Sequence, residues 1–400
     1  MRYWIVSELF YPEEVSTGYV MTRIAEKINE TESVGVICGP SGYQARAFKA
    51  KYDLSEKILL KRVNTPRFNK NNILTRILGF FLLTTGIAFK IIMNVKRGDK
   101  LILVTNPPTL LPVAAFLKML KGFGFLIIVH DVFPENAVAG EMISKKSILY
   151  KFFLAVFNRS YSIADRLIVV GGDMEELFRA KVGNKKPISI ITNWADHTDV
   201  YPIHCFTAAQ NYKEETTDKI IIQFAGNIGR VQGLELFFQE LINVKNSHFR
   251  LVLIGDGAQK NNLVKIVKSS RLQNVQFIAS RPRSEQNEFL NACHIGLVTL
   301  SPGMFGLGVP SKVYNILSAG KPIIYIGDNN SEISRYIKNY NVGWAFSWDK
   351  ISEVKDFFEN IGDQILPEVI EKGKNARLLV EKEFTREKIL DRYKDEIFKL

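Results

Sequence analysis

The sequence predicts an α/β protein made of two doubly wound, mostly parallel-sheet domains. Two observations lead there. Short apolar runs alternate with helical patterns along the whole chain, which is the order of βα units covered on both faces. That alternation stops once, in the polar stretch 204–218, "HCFTAAQNYKEETTD". At 400 residues the chain is long for one domain and comfortable for two. The boundary is therefore set at 205/206.

The strands follow in order. The first half offers Tyr3–Val6, Val34–Cys38, Leu101–Thr105, Leu126–Val129, Leu167–Val170 and Ser189–Ile191, with helical patterns between them at Val20–Asn29 and Met174–Arg179. Leu101–Leu117 contains Pro107-Pro108, so it divides into a strand, a turn and a helix start. A second series runs through Ile220–Phe224, Leu251–Ile254, Val275–Ile278, Ile295–Val298 and Ile323–Ile326. Met1-Arg2 leads straight into the first strand, without the pattern of a signal peptide. The three cysteines, Cys38, Cys205 and Cys293, have no metal-ligand spacing and fit a reducing compartment.

Charge is uneven. Residues 1–200 carry 27 Lys and Arg against 18 Asp and Glu, so +9 of the net +12 lies there. Arg46–Lys100 alone holds 13 basic residues and three acids, Asp53, Glu56 and Asp99. The same segment contains the apolar run "ILTRILGFFLLTTGIAFKIIMNV". Nucleic-acid binding calls for basic residues interleaved with exposed aromatics and no long apolar run, so it is not expected. Only 13 uncharged residues separate Arg76 from Lys90, too few for the ~20 of a spanning helix. Two readings stay open: a buried core helix, or a helix lying on an anionic membrane surface through residues 67–100, flanked by Arg67, Lys70, Arg76, Lys90, Lys96 and Arg97.

The most informative stretch is Phe305–Ile324, "FGLGVPSKVYNILSAGKPII". It reads as loop, helix start, short helix and strand. Ser311 is placed as N-cap, and Lys312 in the first turn favours an anion there, phosphate above all. "IIIQFAG" followed by "NIGRVQG" is a strand and a glycine turn that lets backbone N–H groups approach phosphate. Gly226, Gly229 and Gly233 do not have dinucleotide-fingerprint spacing. Arg230 and Lys312 together are expected to supply positive charge. In the first half, "LIIVHDVFPENAV" ends a strand with His130-Asp131, and Glu135 follows at a helix start. Ligands of such sheets bind beyond the carboxyl ends of strands.

The run "NILSAGKPII" resembles the carboxyl-terminal half of family 4 retaining glycosyltransferases of GT-B fold, whose signature is two glutamates eight residues apart and then Ala-Met-Ala-x-Gly-x-Pro. Asn315 stands at the second glutamate and Leu307 at the first. The "VPSK" form resembles bacterial polysaccharide and O-antigen transferases of N-acetylfucosamine type. The likeness spans essentially the whole chain and implies two Rossmann-like domains facing a cleft. Residues 1–205 would bind the acceptor, 206–384 the nucleotide sugar, and a helix at 385–400 would cross back to the first domain.

The family further implies site residues. Its donor site would take Gly226, Asn227, Arg230, Gln232, the Gly255 turn of "LIGDGAQ", Arg281 on the base, Ser311, Lys312, and Asn315 on the ribose. Donor-sugar contacts would fall in Ser301–Gly308. Thr17 and Gly18 match the family's first glycine-bearing turn on the acceptor side. His130 would bind acceptor or act as base, with Asp131 and Glu135 as rival bases and the leaving phosphate as another. A structural role for His130 also stays open.

The activity implied is transfer of an N-acetylated hexose or 6-deoxyhexose from a UDP-sugar to a lipid-linked saccharide, in bacterial surface polysaccharide synthesis. No Asp-x-Asp motif occurs, so no metal and no other cofactor is expected. The place of action would be the cytoplasm, peripheral to the inner face of the membrane. The alternatives are a UDP-sugar 2-epimerase of similar architecture and a non-catalytic sugar-nucleotide-binding protein.

Overall fold

The structure, a computed structural model, describes residues 1–14, 16–42, 53–65, 73–203 and 219–400. The polar stretch 204–218 expected at the domain boundary, Cys205 within it, and the basic flanks Arg67 and Lys70 lie outside these residues. By its contacts the chain divides into two compact units. One comprises Met1–Thr192 and Ile389–Leu400, the other Asn193–Lys388.

The first unit holds a seven-stranded sheet. Its strands are β1 (Tyr3–Ser7), β2 (Val34–Cys38), β3 (Leu59–Arg62), β4 (Lys100–Val104), β5 (Gly124–Val129), β6 (Arg166–Val169) and β7 (Ile188–Ile190). Their order is β3-β2-β1-β4-β5-β6-β7, and every pairing is parallel. β1, β2 and β5 read as near-continuous apolar runs because helices cover both faces, so alternation has no advantage there. Asp99 is buried and ties the sheet's amino edge together. It accepts from Arg2 N (2.9 Å), Trp4 Nε1 (3.2 Å) and Lys96 N (2.9 Å). One of the three acids in the basic segment thus adds nothing to its surface.

Three neighbouring helices of this unit are α2 (Ile73–Asn94), α3 (Leu110–Lys121) and α5 (Ile148–Ile163). The 14-residue α1 (Ser16–Asn29) follows β1, and the short α4 (Glu135–Ala139) precedes α5. The apolar run left open between a core helix and a helix on a membrane surface is α2, and one side of it packs into the core. Leu83, Ile87 and Ile91 are buried, while Phe81, Phe89 and Met93 are exposed. Among the described residues no helix is long and apolar enough to cross a membrane. The end of the chain also belongs to this unit. Within the final helix (Arg386–Phe398), Arg392 donates to Ile190 O (2.7 Å), Tyr393 Oη donates to Ile191 O (3.3 Å), and Arg166 pairs with the buried Glu396.

The second unit repeats the plan with six strands: β8 (Ile220–Ala225), β9 (Phe249–Ile254), β10 (Val275–Ile278), β11 (Ile295–Thr299), β12 (Ile323–Gly327) and β13 (Gly343–Ser347). Their order is β10-β9-β8-β11-β12-β13, again all parallel. Phe224, Phe237, Phe238, Phe249 and Phe358 fill the core on one face of this sheet. Each sheet reverses its strand order once, at β1/β4 and at β8/β11. Those reversals are where such folds place ligands.

Candidate functional site

The carboxyl end of β8 runs into Gly226, whose φ of +139° suits glycine alone. A side chain there would also meet the Lys312 ammonium, since a Cβ at 226 would lie 3.2 Å from Nζ. Gly255, at the end of β9 with φ +151°, packs still closer: its Cβ would fall 1.9 Å from Gly226 O. The two turns are laced by backbone bonds, Gly226 N to Ile254 O (2.9 Å), Ile228 N to Asp256 O (2.9 Å) and Gln259 N to Ile228 O (3.0 Å). Asn227 lies across Gly229 and Gly257, where a Cβ would approach its amide to 2.8 and 2.7 Å. The glycines bring backbone and short amides together at one sheet end.

Lys312 is the unusual residue. Its Nζ is buried and has no hydrogen-bond partner. It sits 3.5 Å from the centroid of the Phe224 ring, which offers some compensation for lost water. Burial pushes its pKa from 10.5 down to about 7. An ammonium held in this way has a large gain in store when an anion reaches it. Gln232 adds a buried side-chain oxygen, Oε1, that also has no partner. Arg230 is exposed at the start of a single 3-10 turn, Arg230–Gln232, and its carbonyl accepts from Ser301 Oγ (3.0 Å).

Other predicted site residues of this half are engaged. Ser311 does not cap the helix Lys312–Ser318: its own backbone is helical (φ −62°, ψ −20°) and its side chain makes no cap bond. The turn begins earlier, with Val313 N donating to Pro310 O (3.2 Å). Both ends of the Asn315 amide are used. Oδ1 accepts from Asp196 N (2.9 Å) and Nδ2 donates to Gln286 Oε1 (3.1 Å). Asn315 thus braces the turn 193–199, where Asp196 also pairs with Arg283. Leu307, at the first signature position, is buried. Arg281 is held by Glu285 (2.6 Å) and Glu288 (3.2 Å) beside the Phe289 ring. The Ser301–Phe305 loop walls a cavity of about 110 Å³ with Tyr325 and Trp348. That is far below the roughly 300–1,000 Å³ of common ligand pockets.

In the first unit, His130 and Asp131 follow β5 and are positioned by one hydroxyl. Thr105 Oγ1, just past β4, accepts from both backbone N–H groups (3.2 and 3.1 Å). His130 Nε2 is buried without a partner, and burial lowers the imidazole to about 4. Burial raises Asp131 to about 6, opposed by a hydrogen bond from Asn136 (3.0 Å). Glu135 is ion-paired with Lys181. Thr17 and Gly18 open α1. Gly18 is required by packing, since a Cβ would lie 2.7 Å from Glu13 O.

Two parallel sheets on one plan, each presenting polar groups at the carboxyl ends of its central strands, define a two-unit Rossmann-like protein. Residues 207–361 match the family described as Glycosyl transferases group 1. The chain is 36% identical over 344 residues to the probable glycosyltransferase WbjE of Pseudomonas aeruginosa, covering 86% of this chain and 85% of that one. It therefore belongs to the group 1 glycosyltransferases and is a glycosyltransferase. A shorter likeness, 26% over 133 residues or a third of each chain, joins it to WcaI of Escherichia coli K12, a putative colanic acid biosynthesis glycosyl transferase. Among solved structures, HepE of Anabaena in complex with UDP superposes over the full length of both chains with a TM-score of 0.73 at 13% identity. WaaG, a glycosyltransferase involved in lipopolysaccharide biosynthesis, matches over 99% of each chain with a TM-score of 0.70 at 13% identity. At such identity these structures establish the GT-B fold alone.

Proposed function

We propose that the protein is a retaining glycosyltransferase that moves a sugar from a UDP-linked donor to a lipid-linked saccharide in bacterial surface polysaccharide synthesis. On this reading the chain is a member of family 4, and the sugar class that fits its sequence likeness is an N-acetylated hexose or 6-deoxyhexose. The observation that carries the reading is the buried, unpartnered Lys312 ammonium against Gly226, at the strand reversal of the second sheet. A diphosphate supplies the anion this ammonium lacks. Arg230 and the glycine turn would meet the remaining charge, without a metal ion. HepE binds UDP on the same fold, which supports UDP as the nucleotide.

In the proposed reaction the bond from the anomeric carbon to the diphosphate oxygen breaks and a bond to the acceptor oxygen forms on the same face. Negative charge grows on the diphosphate, where Lys312 and Arg230 stabilise it most in the transition state. The acceptor hydroxyl proton goes to the leaving phosphate or to Asp131. With a pKa near 6, Asp131 is a better base near neutrality than His130, which is near 4. His130 stays neutral above that value and can orient the hydroxyl through Nε2. Thr17 and Gly18 are assigned to the acceptor side. Asn315 acts on the nucleotide indirectly, by bracing the turn at Asp196.

Calorimetry with UDP tests the central claim. Lys312→Ala and Arg230→Ala should each weaken binding by about 1.5–3 kcal/mol, the range for hydrogen bonds to charged groups. Unchanged affinity in both variants would remove the diphosphate assignment. Turnover that survives chelation by EDTA agrees with charge stabilisation by protein cations alone.

A further inference from the structure

Helix α3 packs between α2 and α5 on one side of the first sheet. The inner residues of these helices are buried, among them Ile87, Ala114 and Phe157. Their outer residues are large and apolar. Phe81 is 63% exposed, Phe89 60%, Phe116 55%, Leu120 66%, Ile148 85% and Phe152 60%. Single exposed apolar side chains are ordinary on a protein surface, but a contiguous group on adjoining helices marks a contact surface. Among the described residues the helices of the second unit expose fewer such groups, Leu236 on one helix and Tyr340, Ile370 and Leu378 on an adjoining pair.

The charge around the face decides what it contacts. None of the three helices contains an Asp or a Glu. Exposed basic residues rim them instead, Lys96 and Arg97 beyond α2, Lys145 and Lys146 before α5, Lys151 and Arg159 along it. A second copy would bring the same cations face to face against only two flanking acids, Glu141 before α5 and Asp165 after it, and Asp165 is already taken by Lys118. A bilayer with anionic headgroups matches both features at once, apolar groups entering the acyl boundary and cations remaining at phosphate level.

We infer that the outer faces of α2, α3 and α5 form one bilayer-docking plate in the first unit, seated on anionic phospholipid. The plate is wider than residues 67–100, because α3 and α5 supply four of its six named apolar residues. Its purpose rests on the lipid-linked acceptor of the proposed function, while its evidence does not. In the docked state Phe116 and Phe152 lie below the headgroups, and the basic rim adds an attraction that falls as salt screens it.

Flotation with vesicles of phosphatidylglycerol and of phosphatidylcholine, over a salt series, tests the plate. The wild-type chain should float with the anionic vesicles at low salt and detach as salt rises. The triple variant Phe116→Ser, Leu120→Ser, Phe152→Ser changes only exposed positions and should bind at least tenfold more weakly. Leu236→Ser with Leu378→Ser, in the second unit, should bind as wild type. A variant carrying Phe152→Trp should show blue-shifted fluorescence on adding anionic vesicles, quenched by brominated acyl chains. Absence of wild-type flotation at low salt overturns the inference. So does undiminished binding of the triple variant, or an indole signal from Phe152→Trp that stays water-exposed, or a sedimentation shift showing that the face pairs two copies instead. UDP calorimetry on the triple variant separates the two proposals: retained affinity with lost flotation leaves the donor site standing.

Discussion

The two units share a topology and differ in what they place at the carboxyl ends of their central strands. In the first, the polar groups are His130 and Asp131, hung on Thr105. In the second they are a lone ammonium and a set of glycines. Burial acts on both in the direction that favours the neutral form: His130 falls to about 4, Asp131 rises to about 6 and Lys312 falls to about 7. The same desolvation raises the proton affinity of Asp131 and lowers that of His130 and Lys312. A shared fold fixes where chemistry can occur, and a few side chains fix which chemistry it is.

The sharpest test of the contrast is Asp131→Asn. If the first unit manages the proton, turnover should fall about 10²-fold or more, with UDP affinity unchanged by calorimetry. The wild-type rate should rise with pH through about 6 as the carboxyl ionises, and the variant should lack that limb. A variant that loses UDP binding with its fold intact breaks the division of labour.

Asn315→Leu probes whether the second unit spends that side chain on structure. It would leave Asp196 N–H and Gln286 without their partner. Stability should drop by about 1–3 kcal/mol, read from urea unfolding, with UDP affinity near wild type at temperatures where the protein is folded. A large affinity loss at unchanged stability would instead put Asn315 on the ribose.

The smallest effect is a proton linkage. Free Lys312 titrates near 7 and an anion against it should raise that value. Above pH 7, UDP binding should therefore take up protons, and affinity should fall by up to tenfold per pH unit. Calorimetry in buffers of different ionisation enthalpy reads the uptake, which Lys312→Met should abolish. The unliganded protein shows the linkage in reverse. Its folded pKa lies below the unfolded 10.5, so the unfolded state holds more protons between about 7 and 10.5, and stability should rise with pH across that window.

Much of the fold is legible in the sequence because parallel strands buried on both faces are written as apolar runs. β1, β2, β4, β5 and β8 are of this kind, and Pro107-Pro108 does separate β4 from α3. The strands that escape such reading are β3, Leu59–Arg62, and β13, Gly343–Ser347. Both are edge strands with several half-buried residues, so neither has a continuous apolar run nor a clear period. The site is less legible. Lys312 stands out as a first-turn cation, but its isolation depends on Phe224 and Gly226, distant in sequence. Ser311 has the composition of a cap and the wrong backbone for one. Asn315 looks free in a sequence because its partners, Asp196 and Gln286, are distant and brought to it by tertiary packing, whereas the partners of Arg281, Glu285 and Glu288, lie only four and seven residues on. The outer faces of α3 and α5 are hidden for a related reason: an apolar residue does not announce whether its helix turns it inward.

The first unit is discontinuous, and this has a consequence for synthesis. Residues 389–400 complete it, yet they leave the ribosome only after all of 193–388. Until then Arg166 lacks Glu396, and the carbonyls of Ile190 and Ile191 lack Arg392 and Tyr393. The nascent chain therefore carries a first sheet with an uncovered flank and an unpaired cation while the second unit, contiguous in sequence, can already close. Translation order reverses the order of completion, so the half made first is the half finished last.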